Sequence, residues 1–419
     1  MTASLFSGLF IAALLLTLFA KLWLARRHLA HIAAHRAAVP AAFSSQIELA
    51  AHQKAADYTS AKTRLSMLEA VFDTVVLLGF TLGGGINWIA DVWQHMFDTM
   101  ILQGIAVFAS VLLVSALLEA PFGLYQTFVI EERFGFNKMT LALYLADAAK
   151  AAGLAALIGV PLLAGVLWLM ERMGGNWWLY VWMVWVGFVL LLQFASPAFI
   201  APLFNKFQPM QDEALKTRIE TLLQKCGFTA KGLFVMDGSR RSTHGNAYFT
   251  GYGDTKRIVF FDTLLQRLSP DEIEAVLAHE LGHFKLRHVM KRMAATFALS
   301  LGFLWMLEQL MRSGWFYQGL GITLHVTTLY IALALLLFFM ILPVFSFLLH
   351  PLTSYYSRRH EFEADAYAAA QTSGDDLARA LVKMYHDNAA TLTPDPLYST
   401  FYDSHPPALI RISQLQTKP

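Results

Sequence analysis

The sequence predicts a mainly α-helical integral membrane protein of seven spans, with an α+β portion carrying a small sheet outside the bilayer. Three observations predict it. Of 419 residues, 56% are hydrophobic and only 15% charged, whereas soluble domains carry roughly a quarter charged residues. Seven apolar runs reach the ~20 residues a helix needs to cross a bilayer, at 4–23, 67–90, 101–126, 143–170, 177–200, 293–311 and 324–350. Flanking the last two runs are stretches of soluble composition, 201–292 and 351–419. A net charge of +2 offers no broad basic field for phosphate backbones, which excludes nucleic acid as a partner. One cysteine, Cys226, excludes a disulfide framework and any multi-cysteine metal site. With no histidine beside it, this thiol is expected to be buried rather than nucleophilic.

The first run has no basic residue before it and is followed by Lys21, Arg26, Arg27 and Arg36. It reads as an uncleaved anchor with its N-terminus outside. Lys and Arg then crowd the connection from Lys21 to Arg64, while Ile86–Met100 contains neither. Continuing the alternation puts Arg133, Lys138 and both polar stretches on the cytoplasmic side, leaving Arg172 and Arg312 outside. The chain thus divides into a membrane region of five spans (1–200), a first catalytic segment (201–292), two more spans (293–350) and a C-terminal catalytic segment (351–419). Within 201–292, Lys231–Asp237, Asn246–Gly253 and Arg257–Asp262 read as short strands, with Gly251-Tyr-Gly-Asp254 as a turn. Gly83-Gly84-Gly85 lacks the Lys and Ser/Thr of a phosphate loop.

Ser269-Pro-Asp-Glu272 opens a helix with a capping box and proline at its first position. Ile273, Val276 and Leu277 give that helix an apolar face, and it carries His279-Glu280-Leu281-Gly282-His283. Histidines four apart project from one face, so both imidazoles can bind one zinc ion, which lowers the pKa of a bound water. Glu280 misses the metal and can take the proton of that water. His288, beside Arg287, Lys291 and Arg292, reads as an interfacial residue. A catalytic zinc needs a third protein ligand, and the candidates lie in Ser357-Arg-Arg-His-Glu361-Phe-Glu363-Ala-Asp365, on a helix reaching Ala370. Spacing alone leaves Glu361 and Glu363 both open as the ligand. Asp365, on the face of Glu361, suits a hydrogen bond to a ligating imidazole.

With these residues in place, the chain resembles the type I CAAX prenyl proteases, integral-membrane zinc metalloendopeptidases of the gluzincin group. The resemblance also rests on Thr127–Lys138, Pro202–Lys206, Arg241–Phe249 and Ser404-His-Pro-Pro407 with Arg411. It implies Glu361 as the third zinc ligand and Asp365 as the acid behind the ligands, to which physical chemistry assigns an orienting role. It further places His405 and Arg411 near the scissile carbonyl, where donors stabilise an oxyanion. Asn246, Ala247 and Tyr248 become part of an edge strand that pairs with extended substrate, and His244 a neighbour rather than a ligand. Family members enclose a water-filled chamber, which Glu119 and Asp147 are expected to face.

The expected activity is zinc-dependent hydrolysis of peptide bonds at the cytoplasmic face of a membrane. The resemblance implies C-terminal processing of prenylated proteins. A compact, alanine-rich sequence instead points to a bacterial inner-membrane member that cuts membrane-associated peptides, with endoplasmic reticulum as the site in a eukaryote. The expected partners are a peptide or protein substrate and the bilayer, with the chain acting as a monomer. A transporter or channel would suit seven spans but leaves the two-histidine helix unexplained, and intact Glu280 argues against an inactive scaffold.

Overall fold

The computed structural model describes residues 1–229, 232–250, 257–323 and 329–417. Its membrane part opens with α1 (Ala3–His35), capped by the Thr2 hydroxyl accepting from the Leu5 amide. At 33 residues this helix is about 50 Å long, more than a bilayer's hydrocarbon core of roughly 30 Å, so its basic end projects beyond the apolar span. Next come α2 (Leu49–Phe80) and α3 (Gly85–Gln94). The sequence predicts one continuous span over 67–90, but the two helices meet at a 47° bend. Gly84 takes a left-handed conformation there (φ 78°), which costs side-chain-bearing residues about 1–2 kcal/mol. The glycine triplet is a helix break.

Helix α4 (Met100–Tyr125) runs into a π-helical turn at Gln126–Glu131. It is followed by α5 (Leu141–Arg172) and α6 (Trp177–Ala195), and α6 passes through a second π turn, Ser196–Ile200, into the short α7 (Ala201–Phe204). Six helices of the described residues are long and apolar enough to cross a membrane, or seven if α2 and α3 form one bent span. Leucines such as Leu112, Leu117, Leu157 and Leu191 are exposed, as suits faces in contact with lipid.

The polar part begins with β1 (Phe207–Pro209), α8 (Glu213–Lys225), β2 (Gly232–Met236), β3 (Ala247–Thr250) and β4 (Arg257–Phe261). The sheet order is β1-β2-β4-β3. Strands β2 and β4 are parallel, with Leu233 opposite Ile258, and the outer pairs are antiparallel. Three of the four strands are legible in the sequence; β1, three residues ending in proline, is not. The expected turn at Gly251–Asp254 lies outside the described residues.

After the sheet come α9 (Asp262–Leu265), α10 (Pro270–Lys285), α11 (His288–Met311), α12 (Gly314–Gly319) and α13 (Tyr330–Ser346). Ile331 through Phe338 are buried without a break, so α13 lies at the centre of the bundle, as an all-round apolar helix should. Residues 324–328 of the expected last span lie outside the described residues. A single 3₁₀ turn, Phe347–Leu349, then leads into α14 (His350–Gln371), followed by α15 (Gly374–Asp387), α16 (Pro396–Tyr402) and α17 (Ala408–Thr417). Two main cores result. One joins Phe10, Val107, Leu167 and Leu337 within the bundle. The other joins Ile219, Phe260, Leu277, Leu281, Leu381 and Ile412 around the sheet and the polar helices, and buries Cys226.

Replacing Gly84 by valine should lower stability by about 1–2 kcal/mol, read by thermal unfolding in detergent. Gly8→Ala, in α1 with no atom within 4 Å of the added methyl, should hold or raise it. Equal effects from the two changes would show that the break does not depend on a left-handed residue.

Candidate active site

Helix α10 starts where its sequence says it should. The Ser269 hydroxyl accepts from the Glu272 amide, and the Glu272 carboxylate accepts from the Ser269 amide at 2.7 Å. Lys383 of α15 also donates to that carboxylate at 2.7 Å. The apolar residues Ile273, Leu277 and Leu281 are buried, which fixes the helix rotation and turns His279 and His283 toward α14. Between those histidines, Gly282 lets α14 approach closely. A Cβ added there would lie 3.0 Å from the Ala364 Cα and 3.2 Å from its carbonyl oxygen.

That approach brings Glu361 to the two imidazoles. The Nε2 atoms of His279 and His283 are 3.2 Å apart. Glu361 Oε1 lies 3.3 Å from His283 Nε2, and its Oε2 lies 3.5 Å from His279 Nε2. Ligands held at 2.0–2.2 Å around a tetrahedral zinc are roughly 3.3–3.6 Å from one another, so these three groups fit such an ion. Glu361 Oε2 is buried with no hydrogen-bond donor among the described residues, as suits an atom reserved for a metal. Glu363, the other carboxylate that spacing left open, points elsewhere, to His288 and Arg359.

His279 Nδ1 is 2.8 Å from Asp365 Oδ1. Arg411, from α17, grips the same carboxylate through Nε at 2.8 Å and Nη2 at 2.5 Å. Its Nη1 lies 3.6 Å from Glu361 Oε2. Arg411 is therefore committed chiefly to Asp365, with one edge left toward the cavity. Desolvation of this buried guanidinium is outweighed by the hydrogen bonds it donates to Asp365 and by that carboxylate's charge, so its pKa is raised. His405 Nε2 stands 3.6 Å from Glu361 Oε2 on an otherwise exposed side chain. The Arg358 guanidinium anchors its loop by donating to the carbonyls of Ser399 and Asp403, each at 3.0 Å.

A cavity of about 360 Å³ fronts these groups, lined by Asn246, Ala247, Glu280, His405 and Arg411 among others. No hydrogen bond or ion pair engages the Glu280 carboxylate among the described residues, and burial pushes its pKa above the usual carboxylate range. Tyr385 of α15 and Asn388, which caps that helix, also line the cavity. Sequence reasoning missed both. Their only signal was a polar end to the stripe Leu377, Leu381, Met384, which reads as core. The cavity shares Tyr385, Asn388, Ala390 and His405 with a second one of about 580 Å³ that extends along α2 past Tyr58, Lys62 and Glu69.

Strand β3 is at the sheet edge, as expected, but its residues divide. Ala247 faces the cleft, whereas Tyr248 faces the opposite side, edge-on to Phe261 and lining a separate pocket with Lys206 and Arg257. Alternation along a strand dictates this, so the Tyr248 side chain is no part of the cleft. His244 Nδ1 is 3.0 Å from Asn388 Oδ1, beside the site and apart from the three converging ligands. His288, expected at an interface, is fully buried and bonded to His283. Glu119 lines a cavity of about 230 Å³ among the spans with Lys21 and Asp73, whereas Asp147 meets Arg241 at 2.9 Å.

Residues 28–206 match the family described as CAAX prenyl protease N-terminal, five membrane helices, and residues 209–418 match peptidase family M48. The chain belongs to the CAAX prenyl protease family of M48 peptidases. It is similar to CAAX prenyl protease 1 of Saccharomyces cerevisiae, 33% identical over 400 residues that cover 90% of this chain and 88% of the relative. The CAAX prenyl protease 1 homolog of Arabidopsis thaliana is 37% identical over 316 residues, 75% of this chain and 74% of that one. The crystal structure of S. mikatae Ste24p superposes with a TM-score of 0.91 at 30% identity, covering 98% of this chain and 99% of that chain. The protease is thus a multi-pass membrane metallopeptidase. These relatives are eukaryotic and lend no support to a bacterial source.

Because Gly282 sets the distance between α10 and α14, Gly282→Ala should push Glu361 away by a few tenths of an ångström. Affinity for Zn²⁺, measured by competition with a chromophoric chelator, should fall at least several-fold. Parental affinity in this variant would show that the helix approach does not set the ligand geometry.

Proposed function

We propose that the protease is a zinc endopeptidase that trims the C-terminal segment of prenylated proteins at the cytoplasmic face of its membrane. The observation that carries this is the convergence of His279, His283 and Glu361 beside a free Glu280 carboxylate in an open cleft. The CAAX prenyl protease names of the relatives support the substrate class, and the basic connections support the cytoplasmic sidedness.

His279, His283 and Glu361 would hold the ion. Zinc, when bound, supplies a Lewis acid that polarises the scissile carbonyl and acidifies water. Glu280 accepts the proton from the attacking water and passes it to the departing amine. Asp365, held by Arg411, keeps the His279 Nδ1–H in place so that Nε2 is the free lone pair. His405 and the outward edge of Arg411, each 3.6 Å from Glu361 Oε2, would donate to the developing oxyanion. The unpaired edge of β3 offers backbone groups to an extended substrate, with Ala247 toward the cleft. From there the larger cavity along α2 gives the rest of the chain a path between the helices.

Glu280→Gln should reduce peptide cleavage by roughly 10²–10⁴-fold, the contribution of a general base, while zinc content stays at the parental level. Residual activity close to the parent would remove Glu280 from the chemistry. With purified protein, a prenylated CAAX peptide should be cut faster than its unmodified counterpart. Equal rates would overturn the prenyl preference and leave a general membrane endopeptidase.

A further inference from the structure

The two ligating imidazoles present their inner nitrogens to each other and to Glu361, so each has its Nδ1 facing outward. For His279 that atom meets Asp365. For His283 it meets another histidine: His283 Nδ1 lies 2.9 Å from His288 Nδ1. The second nitrogen of His288 lies 3.0 Å from Glu363 Oε2, and Arg359 donates to Glu363 Oε1 at 3.0 Å. His288 has no exposed surface and stacks on His360, with ring centroids 3.9 Å apart and planes 8° apart.

This contact exists because the chain breaks between the two histidines. Helix α10 ends at Lys285, and Arg287 adopts a left-handed conformation (φ 58°, ψ 34°) before α11 begins at His288. A residue with a Cβ takes that conformation only when the surroundings hold it there. The turn swings His288 back over the ring of His283, against the continuing helical register.

We propose that His288 and Glu363 are positioning residues for the metal ligand His283. Resting on the reading that His279, His283 and Glu361 bind zinc, the chain of donors has one direction. With Nε2 turned to the ion, His283 carries its proton on Nδ1 and donates to His288 Nδ1. His288 then carries its proton on Nε2 and donates to the Glu363 carboxylate, which Arg359 holds. Each imidazole ligand is thereby backed by a carboxylate and an arginine, His279 directly by Asp365 and Arg411, His283 through one intervening ring. Such outer partners fix the tautomer and orientation of a ligand. His288, His360 and Glu363 also bring their ligand atoms within 4.8 Å of one another, but the stacked rings of the two histidines set their in-plane lone pairs side by side rather than toward one point.

The test titrates Zn²⁺ against a chromophoric chelator with the full-length protein in detergent. The parent should bind one equivalent and His283→Ala should lose it; a parent that binds none overturns the underlying reading, and the proposal with it. Glu363→Gln and His288→Ala should each weaken binding by about 10- to 100-fold, with unfolding of the metal-free protein near the parental temperature. His288→Asn, which keeps an acceptor for His283, should retain more affinity than His288→Ala. Adding Glu363→Gln to His288→Ala should cost little more, as expected of groups acting in series. Zinc affinity within twofold of the parent in folded Glu363→Gln and His288→Ala proteins would overturn the proposal. So would a second bound equivalent that disappears with Glu363→Gln.

Discussion

The structure depends on one close approach, that of α10 to α14 at Gly282 and Ala364. Two histidines on a single helix supply half a metal site at most, because a zinc ion held by protein needs a third ligand from another direction. The group that stands ready to supply it comes from a helix separated in sequence by two membrane spans. Only the missing side chain of Gly282 lets the second helix come near enough for the Glu361 carboxylate to stand 3.3 and 3.5 Å from the imidazoles. Every other feature of the cleft is arranged around that contact.

Drawing these charged groups together out of water is costly unless each is paired. Glu361, Asp365 and Arg411 are all nearly inaccessible to solvent. Asp365 and Arg411 answer each other through two hydrogen bonds. Among the described residues Glu361 Oε2 has no hydrogen-bond donor, which leaves it open to the cation proposed for the site. Among the described residues no partner engages Glu280 in the cavity wall, which leaves it available for the proton exchange proposed for it.

The membrane part does more than anchor the site. The last span leads through a single turn into the helix that carries Glu361, so this carboxylate rides on a helix that continues from the most deeply buried span of the bundle. Arg241, just before the edge strand, is tied to Asp147 of α5 and to Asn205 beyond α7. The cleft in turn opens along α2. Membrane helices and polar part therefore form one positioned assembly, with the two connected cavities lying where they meet.

Features that depend on neighbours in the chain were legible in the sequence: the apolar runs, the capping box of α10, the paired histidines, and three of four strands. Local hydrogen bonding and hydrophobic periodicity decide these, and both are written in consecutive residues. The sequence alone could not choose between Glu361 and Glu363, because both ride one helix and only the packing of α14 on α10 says which faces the histidines. Nor could it see that Arg287 leaves the helical register and carries His288 back to His283, or that Arg411 would be committed to Asp365. Those outcomes belong to the tertiary structure, since each turns on the distance and direction between groups remote in sequence, or on a backbone angle that surrounding contacts impose.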